Sequence, residues 1–374
     1  MKPRLLAPLV LALTFAQPSP AQQNPDSWRF AVSGDSRNCG DVVMSAIAQS
    51  VIQSQPRFYW HLGDFRAMYM VDEDIQQRYP DKLPPAEYLQ IAWADFIDNQ
   101  VRPFGPVPVR LGIGNHELIG RTPADYLAQF GYWLDAPELR QRRLADNPKD
   151  PSLKTYYHWK ERNIDFIYLD NSPDDGAFSD DQMQWFEGIL ARDKTDDEVK
   201  TVVVGMHRAL PNSLACGHSM NGDAGAPSEN GVKSGRRAYS DLLQWKHDAK
   251  KFVYILASHS HFFMQDLYDT KYWQNRGEVL PGWIVGTAGA KRYVLPDLSP
   301  AMKEKTKAET YVWGYLLANV APNGEIKFDF IKVGPDNVPQ SVHDLYGDKF
   351  VYNFCAEGNR DDTKHDPPPS CKEE

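Results

Sequence analysis

The chain has 374 residues, 42% of them hydrophobic and 24% charged, which supplies a sizeable core and excludes a mainly disordered polypeptide. Its formal net charge of −9 argues against a surface that coats nucleic acid. No apolar run reaches the roughly 18 residues that a membrane-spanning helix needs, so no transmembrane span is expected.

In chain order, residues 1–21 read as a cleaved export signal. Lys2 and Arg4 lead into an apolar stretch over 5–16, followed by the small-residue site Ser19-Pro20-Ala21. Pro3, Pro8, Pro18 and Pro20 oppose a buried helix there. Export to a periplasmic or extracellular space is oxidising, so Cys39, Cys216, Cys355 and Cys371 are expected in disulfides. Cys355 and Cys371 lie close in sequence around a polar tail and are expected to pair, which leaves Cys39 with Cys216.

Beyond the signal, short apolar runs alternate with helical patterns, the mark of an α/β layered fold. Strands are expected over 28–34, 58–63, 107–114, 165–169, 199–206, 252–257 and 283–287. A hairpin over 311–320 and 326–333 turns at Asn323-Gly324. Helices are expected over 41–53, 88–96, 180–190 and 237–245, the third opened by Ser179 with Gln182 three residues on. Polar, partly helical insertions over 66–100 and 120–154 interrupt this rhythm. Residues 208–235, rich in Gly, Asn and Ser, show no helical or strand period and form a candidate substrate-facing loop. Residues 22–354 are expected to form one domain, and 355–374 a loosely ordered polar tail.

The residues that follow the strands carry chemistry. Asp35 stands in G-D-S-R, Asp64 in G-D-F-R, and Asn115 and His116 in G-N-H-E. His207 follows the next run, and His259 and His261 the one after it. Ligands in α/β sheets bind outside the carboxyl ends of strands, and five successive ends here offer carboxylates, an amide and imidazoles. A single strand-end Asp is usually a turn former; the ordered set is not explained that way. Mixed oxygen and nitrogen donors suit Zn, Mn or Fe, and a carboxylate that bridges two ions builds the clamp used in phosphoester hydrolysis. Gly34, Gly63 and Gly114 precede the donors and let the backbone approach an ion closely.

From about residue 30 to 333, this order of motifs resembles the calcineurin-like metallophosphoesterase superfamily, most specifically in G-N-H-E and H-x-H. The resemblance implies a four-layer α/β/β/α sandwich of two mixed β-sheets with a dinuclear centre at strand ends. It implies that Asp64 bridges two divalent ions, that Asn115, His207 and His259 complete one site, and that Asp35 and His261 belong to the other. It also implies that His116 meets the leaving group as proton donor or transition-state stabiliser.

The first motif departs from the family's D-x-H, because Arg37 stands where the His ligand belongs. Arginine offers no lone pair, so the first site is one ligand short and its ion weakly or partly held. The purple acid phosphatase branch answers that absence with a Tyr three residues after the bridging Asp; here that position is Ala67, while Tyr69 and His61 are out of register. Three outcomes stay open: water fills the gap, Arg37 holds a phosphate oxygen, or catalysis has been lost. Arg37, Arg66 and Arg208 adjoin the ligands and are the candidate substrate cations. The expected function is an exported phosphohydrolase that cleaves a small phosphomonoester or phosphodiester by attack of metal-bound hydroxide. The alternative is a non-catalytic exported protein that binds a phosphate ligand on the same fold.

Overall fold

The computed structural model describes residues 27–296, 308–363, 368 and 371. The expected signal over 1–21 therefore lies outside the described residues. Two mixed sheets face one another. The first has the order β12-β11-β1-β2-β3, with β1 Trp28–Ser33, β2 Tyr59–His61, β3 Val109–Leu111, β11 Trp313–Val320 and β12 Ile326–Val333. The second runs β10-β8-β9-β7-β6-β5-β4. It comprises β4 Tyr157–Glu161, β5 Ile164–Leu169, β6 Thr201–Met206, β7 Phe252–Ala257, β8 Phe263–Gln265, β9 Gly282–Val285 and β10 Ala308–Glu309.

Strand burial follows from position. The central parallel strands β5, β6 and β7 are apolar almost throughout because both their faces are covered. The edge strand β12 alternates apolar and polar residues and is half exposed. Its hairpin with β11 pairs Val320 with Ile326 around a turn in which Gly324 has φ 89°.

An aromatic layer joins the sheets. The Phe30 and Phe58 rings of the first meet Phe166 of the second edge-on at 5.0 and 5.1 Å, and Trp60 meets Trp159 at 5.0 Å. Trp60 is fully buried and lies against Gly205, where any Cβ would overlap the indole. Helix α1 (Gly40–Ser54) covers the outside of the first sheet, and α2 (Asp180–Thr195) and α3 (Glu229–Ala249) that of the second. Ser179 caps α2 by accepting the Gln182 N–H, as the sequence indicated.

One element fills in an expectation, and two differ from it. The partly helical insertion 120–154 contains two helices, Pro123–Leu134 and Pro137–Asp146, the first opened by a Thr122–Asp125 capping box. Helix α3 begins at Glu229, so the last residues of the irregular segment 208–235 are helical. Residue 355 does not begin a loose tail: Lys349–Gly358 is helical, and Arg360–Asp361 pairs with Arg292–Tyr293.

Candidate metal centre

β1, β2 and β3 are adjacent and parallel, as are β6 and β7, so their carboxyl ends lie side by side. The two sets are tied together where Gly34 N–H donates to the Val285 carbonyl at 3.0 Å. Asp35, Asp64 and His259 all sit at left-handed φ values of 60°, 61° and 64°. Such backbone costs about 1–3 kcal/mol per residue and persists only where the surroundings enforce it. Gly114 makes the closest approach, because a Cβ there would overlap Asp64 Oδ1.

Backbone carbonyls fix the histidine tautomers. A carbonyl only accepts, so His207 Nδ1–H donates to Leu62 O at 3.0 Å, His261 Nδ1–H to Lys291 O at 2.6 Å and His116 Nδ1–H to Ala67 O at 2.6 Å. Each therefore presents an Nε2 lone pair inward. His207 Nε2 lies 3.2 Å from Asp64 Oδ1, 3.0 Å from Asn115 Oδ1 and 3.1 Å from His259 Nδ1. His261 Nε2 lies 3.2 Å from Asp35 Oδ1, and His116 Nε2 is 3.6 Å from Asp64 Oδ2. Donor atoms of Asp64, His207 and His259 lie within 4.8 Å of one another, and those of Asp35, Asp64 and His261 do the same, so Asp64 is common to both groups.

Asp35 Oδ1 and Asp64 Oδ2 are buried without a hydrogen-bond partner. Buried acceptors that face acceptors are costly unless a cation lies among them, and this mixed set suits a divalent transition metal. The electrostatics show that these carboxylates draw positive charge, a proton on His207 where no ion is bound. Burial raises the Asp64 carboxyl, but His116, His207 and Arg37 together hold it well below the usual range. Burial lowers His207, while Asp64 and Asp35 raise it above the ordinary histidine value. Burial, with His207 and Arg208, keeps His259 well below that value. Burial also brings His116 down to about 4 against the pull of Asp64.

The three arginines part company. Arg37 is 7% exposed, and its Nη2 donates to His261 Nε2 at 3.0 Å and to Tyr293 Oη at 3.3 Å. Arg208 stands half-buried at the rim, its Nη1 donating to the carbonyls of Asn171 and Pro173 at 3.1 and 2.5 Å. Arg66 is a correction. It is fully buried away from the mouth, ion-paired with Asp41 at 2.5 Å, Asp74 at 3.0 Å and Asp95, so it does not serve a substrate. His61 lies in the core with Nε2 on Ser36 Oγ at 3.0 Å, whereas Tyr69 is 59% exposed at the rim, its ring 5.4 Å from His116.

The disulfide pairing is a second correction. Cys39 bonds Cys355, and Cys216 bonds Cys371, with Cα separations of 5.8 and 6.1 Å. The cause is the chain's return: the segment near 346–355 packs back on the start of α1, where Tyr346 Oη donates to Asp41 Oδ2 at 2.6 Å. Closeness in sequence misled, because Cys355 sits on a helix that faces Cys39.

Some site residues escaped sequence reasoning. Glu117 accepts backbone N–H bonds from Asp64, Phe65 and Gly114 at 2.8, 2.8 and 2.7 Å and so braces two ligand turns; its place in G-N-H-E was the available signal. Tyr293 stacks on His261 with centroids 4.1 Å apart, and nothing around it in sequence marks it. His218, from the Gly-rich segment, stacks on Tyr293 at 5.3 Å and lies 6.5 Å from the His259 ring.

This architecture, with its buried Asp and His groups at strand ends, is the calcineurin-like metallophosphoesterase fold. The chain is similar to purple acid phosphatase PPD1 from seeds of yellow lupin (Lupinus luteus), with a TM-score of 0.54 and 15% identity over 84% of this chain and 52% of that one. It is also similar to PhoD, with a TM-score of 0.50 and 14% identity over 85% of this chain and 73% of that one. The chain thus spans about half the length of the lupin phosphatase, and the likeness is one of fold. No family model matches the sequence, and none of the curated proteins does.

Proposed function

We infer that the chain is an exported, metal-dependent phosphohydrolase acting on a small phosphate ester. The observation that carries this reading is the convergence of Asp64 Oδ1, Asn115 Oδ1, His207 Nε2 and His259 Nδ1, atoms that can all ligate an ion when the two imidazoles turn lone pairs toward it. These residues would hold a divalent ion, and Asp35, Asp64 and His261 form the neighbouring donor group. Divalent ions in such a centre supply a nucleophile at neutral pH and offset charge on phosphoryl oxygens. His116, its Nδ1–H fixed by Ala67, would protonate the leaving oxygen through Nε2 as the imidazolium, a form that the negative charge of a bound phosphate would favour. Arg208 at the rim and Arg37 inside would add positive charge toward a phosphate. The exposed Tyr69 ring beside His116 borders a groove lined by Met70, Val71 and Phe354, where the organic part of an ester would lie. Two disulfides suit an oxidising compartment, and no helix among the described residues is long and apolar enough to cross a membrane.

The bond from Arg37 to His261 favours a second reading, a non-catalytic binder of a phosphate ligand. The two separate in an assay of chelated protein resupplied with Mn, Zn or Fe and given an aryl monoester and an aryl diester. Turnover of either that returns only with metal is the expected result. Metal uptake without turnover of any ester in a wider panel would favour the binder and contradict the enzyme.

A further inference from the structure

We propose that Arg37 stands in the place of a second cation, so that the centre takes one divalent ion, in the group Asp64, Asn115, His207 and His259. The proposal rests on the metal-dependent reading above and concerns how many ions that reading involves.

The two donor groups differ in what already occupies their lone pairs. In the first, the His207 Nδ1–H bond to Leu62 leaves the Nε2 pair facing Asp64 Oδ1, Asn115 Oδ1 and His259 Nδ1. None of those facing atoms carries a proton to share when the carboxylate is ionised and His259 is the Nε2–H tautomer. In the second, the Nδ1–H bond to Lys291 likewise leaves His261 a single Nε2 pair, and Arg37 Nη2 donates to it at 3.0 Å. One lone pair serves a hydrogen bond or a metal bond, not both. Arg37 cannot become a ligand itself, since a guanidinium has donors only and stays charged.

Arg37 is also held there. The same Nη2 donates to Tyr293 Oη, and the Tyr293 ring stacks on His261 at 4.1 Å. The side chain is buried, so withdrawal would have to break this stack of contacts. Its fixed positive charge acts on both Asp35 and Asp64, as an ion in the second group would. A divalent ion beside it would meet a like charge in a buried place. The guanidinium thus balances the acidic pair on one side of Asp64 and leaves the other side for a metal.

The test is Mn(II) loading of the full chain after chelation, read by elemental analysis and electron paramagnetic resonance. Wild type is expected to hold one Mn per chain with an uncoupled six-line spectrum. Arg37→His, which restores a lone pair, is expected to hold two, with the exchange-coupled spectrum of ions that share Asp64. His261→Gln is expected to keep one, whereas His259→Gln loses it. Two Mn per wild-type chain with a coupled spectrum would overturn the proposal and leave metal-dependent hydrolysis standing. No uptake of Mn, Zn or Fe by wild type would overturn both. If Arg37→His does not fold, His261→Gln decides: a fall below one Mn per chain contradicts the proposal.

Discussion

Two buried carboxylate clusters lie a few residues apart in this chain, and they are built on opposite plans. Around Arg66, Asp41, Asp74 and Asp95 share one guanidinium; Gln100 and Tyr346 add donors to Asp41, and Arg78 pairs with Asp95. Around Asp64, acceptor atoms face acceptor atoms, and two carboxylate oxygens have no hydrogen-bond partner. Both clusters are rich in charge and largely buried, so composition and burial do not separate a structural ion-pair network from a ligand site. The balance of donors against acceptors does.

The largest expected effect comes from opening the closed cluster. Arg66→Met leaves three carboxylates without their shared cation and should cost about 3–5 kcal/mol in denaturant unfolding. Metal content per folded chain should not change. A loss of bound metal with stability intact would reverse the roles assigned to the two clusters.

His116 tests the open cluster from its edge. His116→Ala should keep bound metal and lower turnover of esters with poor leaving groups by about 10²–10⁴-fold. Esters whose leaving group needs no proton should suffer little. Equal losses on both kinds of ester would contradict the proton-donor role.

A third cluster sharpens the comparison, because its cation titrates. His158 bridges Asp165 and Asp146 at 2.8 and 2.7 Å, and although burial lowers it, these carboxylates raise it to about 9. A raised histidine stabilises the fold in full below its unfolded value near 6.5 and loses that contribution as pH rises through about 9. The decline should amount to about 3 kcal/mol at most. Urea midpoints that fall from pH 6.5 to 9 in wild type and stay level in His158→Gln are the expected result; a level wild-type curve would contradict the assignment.

What the sequence made legible follows the same logic. Asp35, Asp64, Asn115, His207, His259 and His261 were readable because parallel strands end on one edge, which turns order along the chain into proximity in space. Arg66 was misplaced because Asp64 adopts a left-handed turn, and the three carboxylates that receive Arg66 come from α1 and the 66–100 segment. The disulfides were mispaired because their partners are 316 and 155 residues apart, and only the folded chain brings them together. The start of α3 was hidden by Gly231 and Gly235, poor helix formers used for close approach: a Cβ at the first would collide with the Met220 carbonyl and one at the second with the Pro211 ring. The helix over 123–134 did announce itself, since Thr122, Pro123 and Asp125 are cap, first-turn proline and box residue.

The shared carboxylate bears most of the account's weight. Asp64→Asn keeps the shape of the side chain and removes its charge, so the backbone N–H bond from His116 to Oδ1 can persist. Elemental analysis of chelated and reloaded protein, alongside hydrolysis of one aryl phosphate, tests it directly. The account predicts bound metal near background, turnover lost with it, and a circular dichroism spectrum like that of wild type. Metal content equal to wild type in the folded variant would contradict the claim that Asp64 holds the centre together.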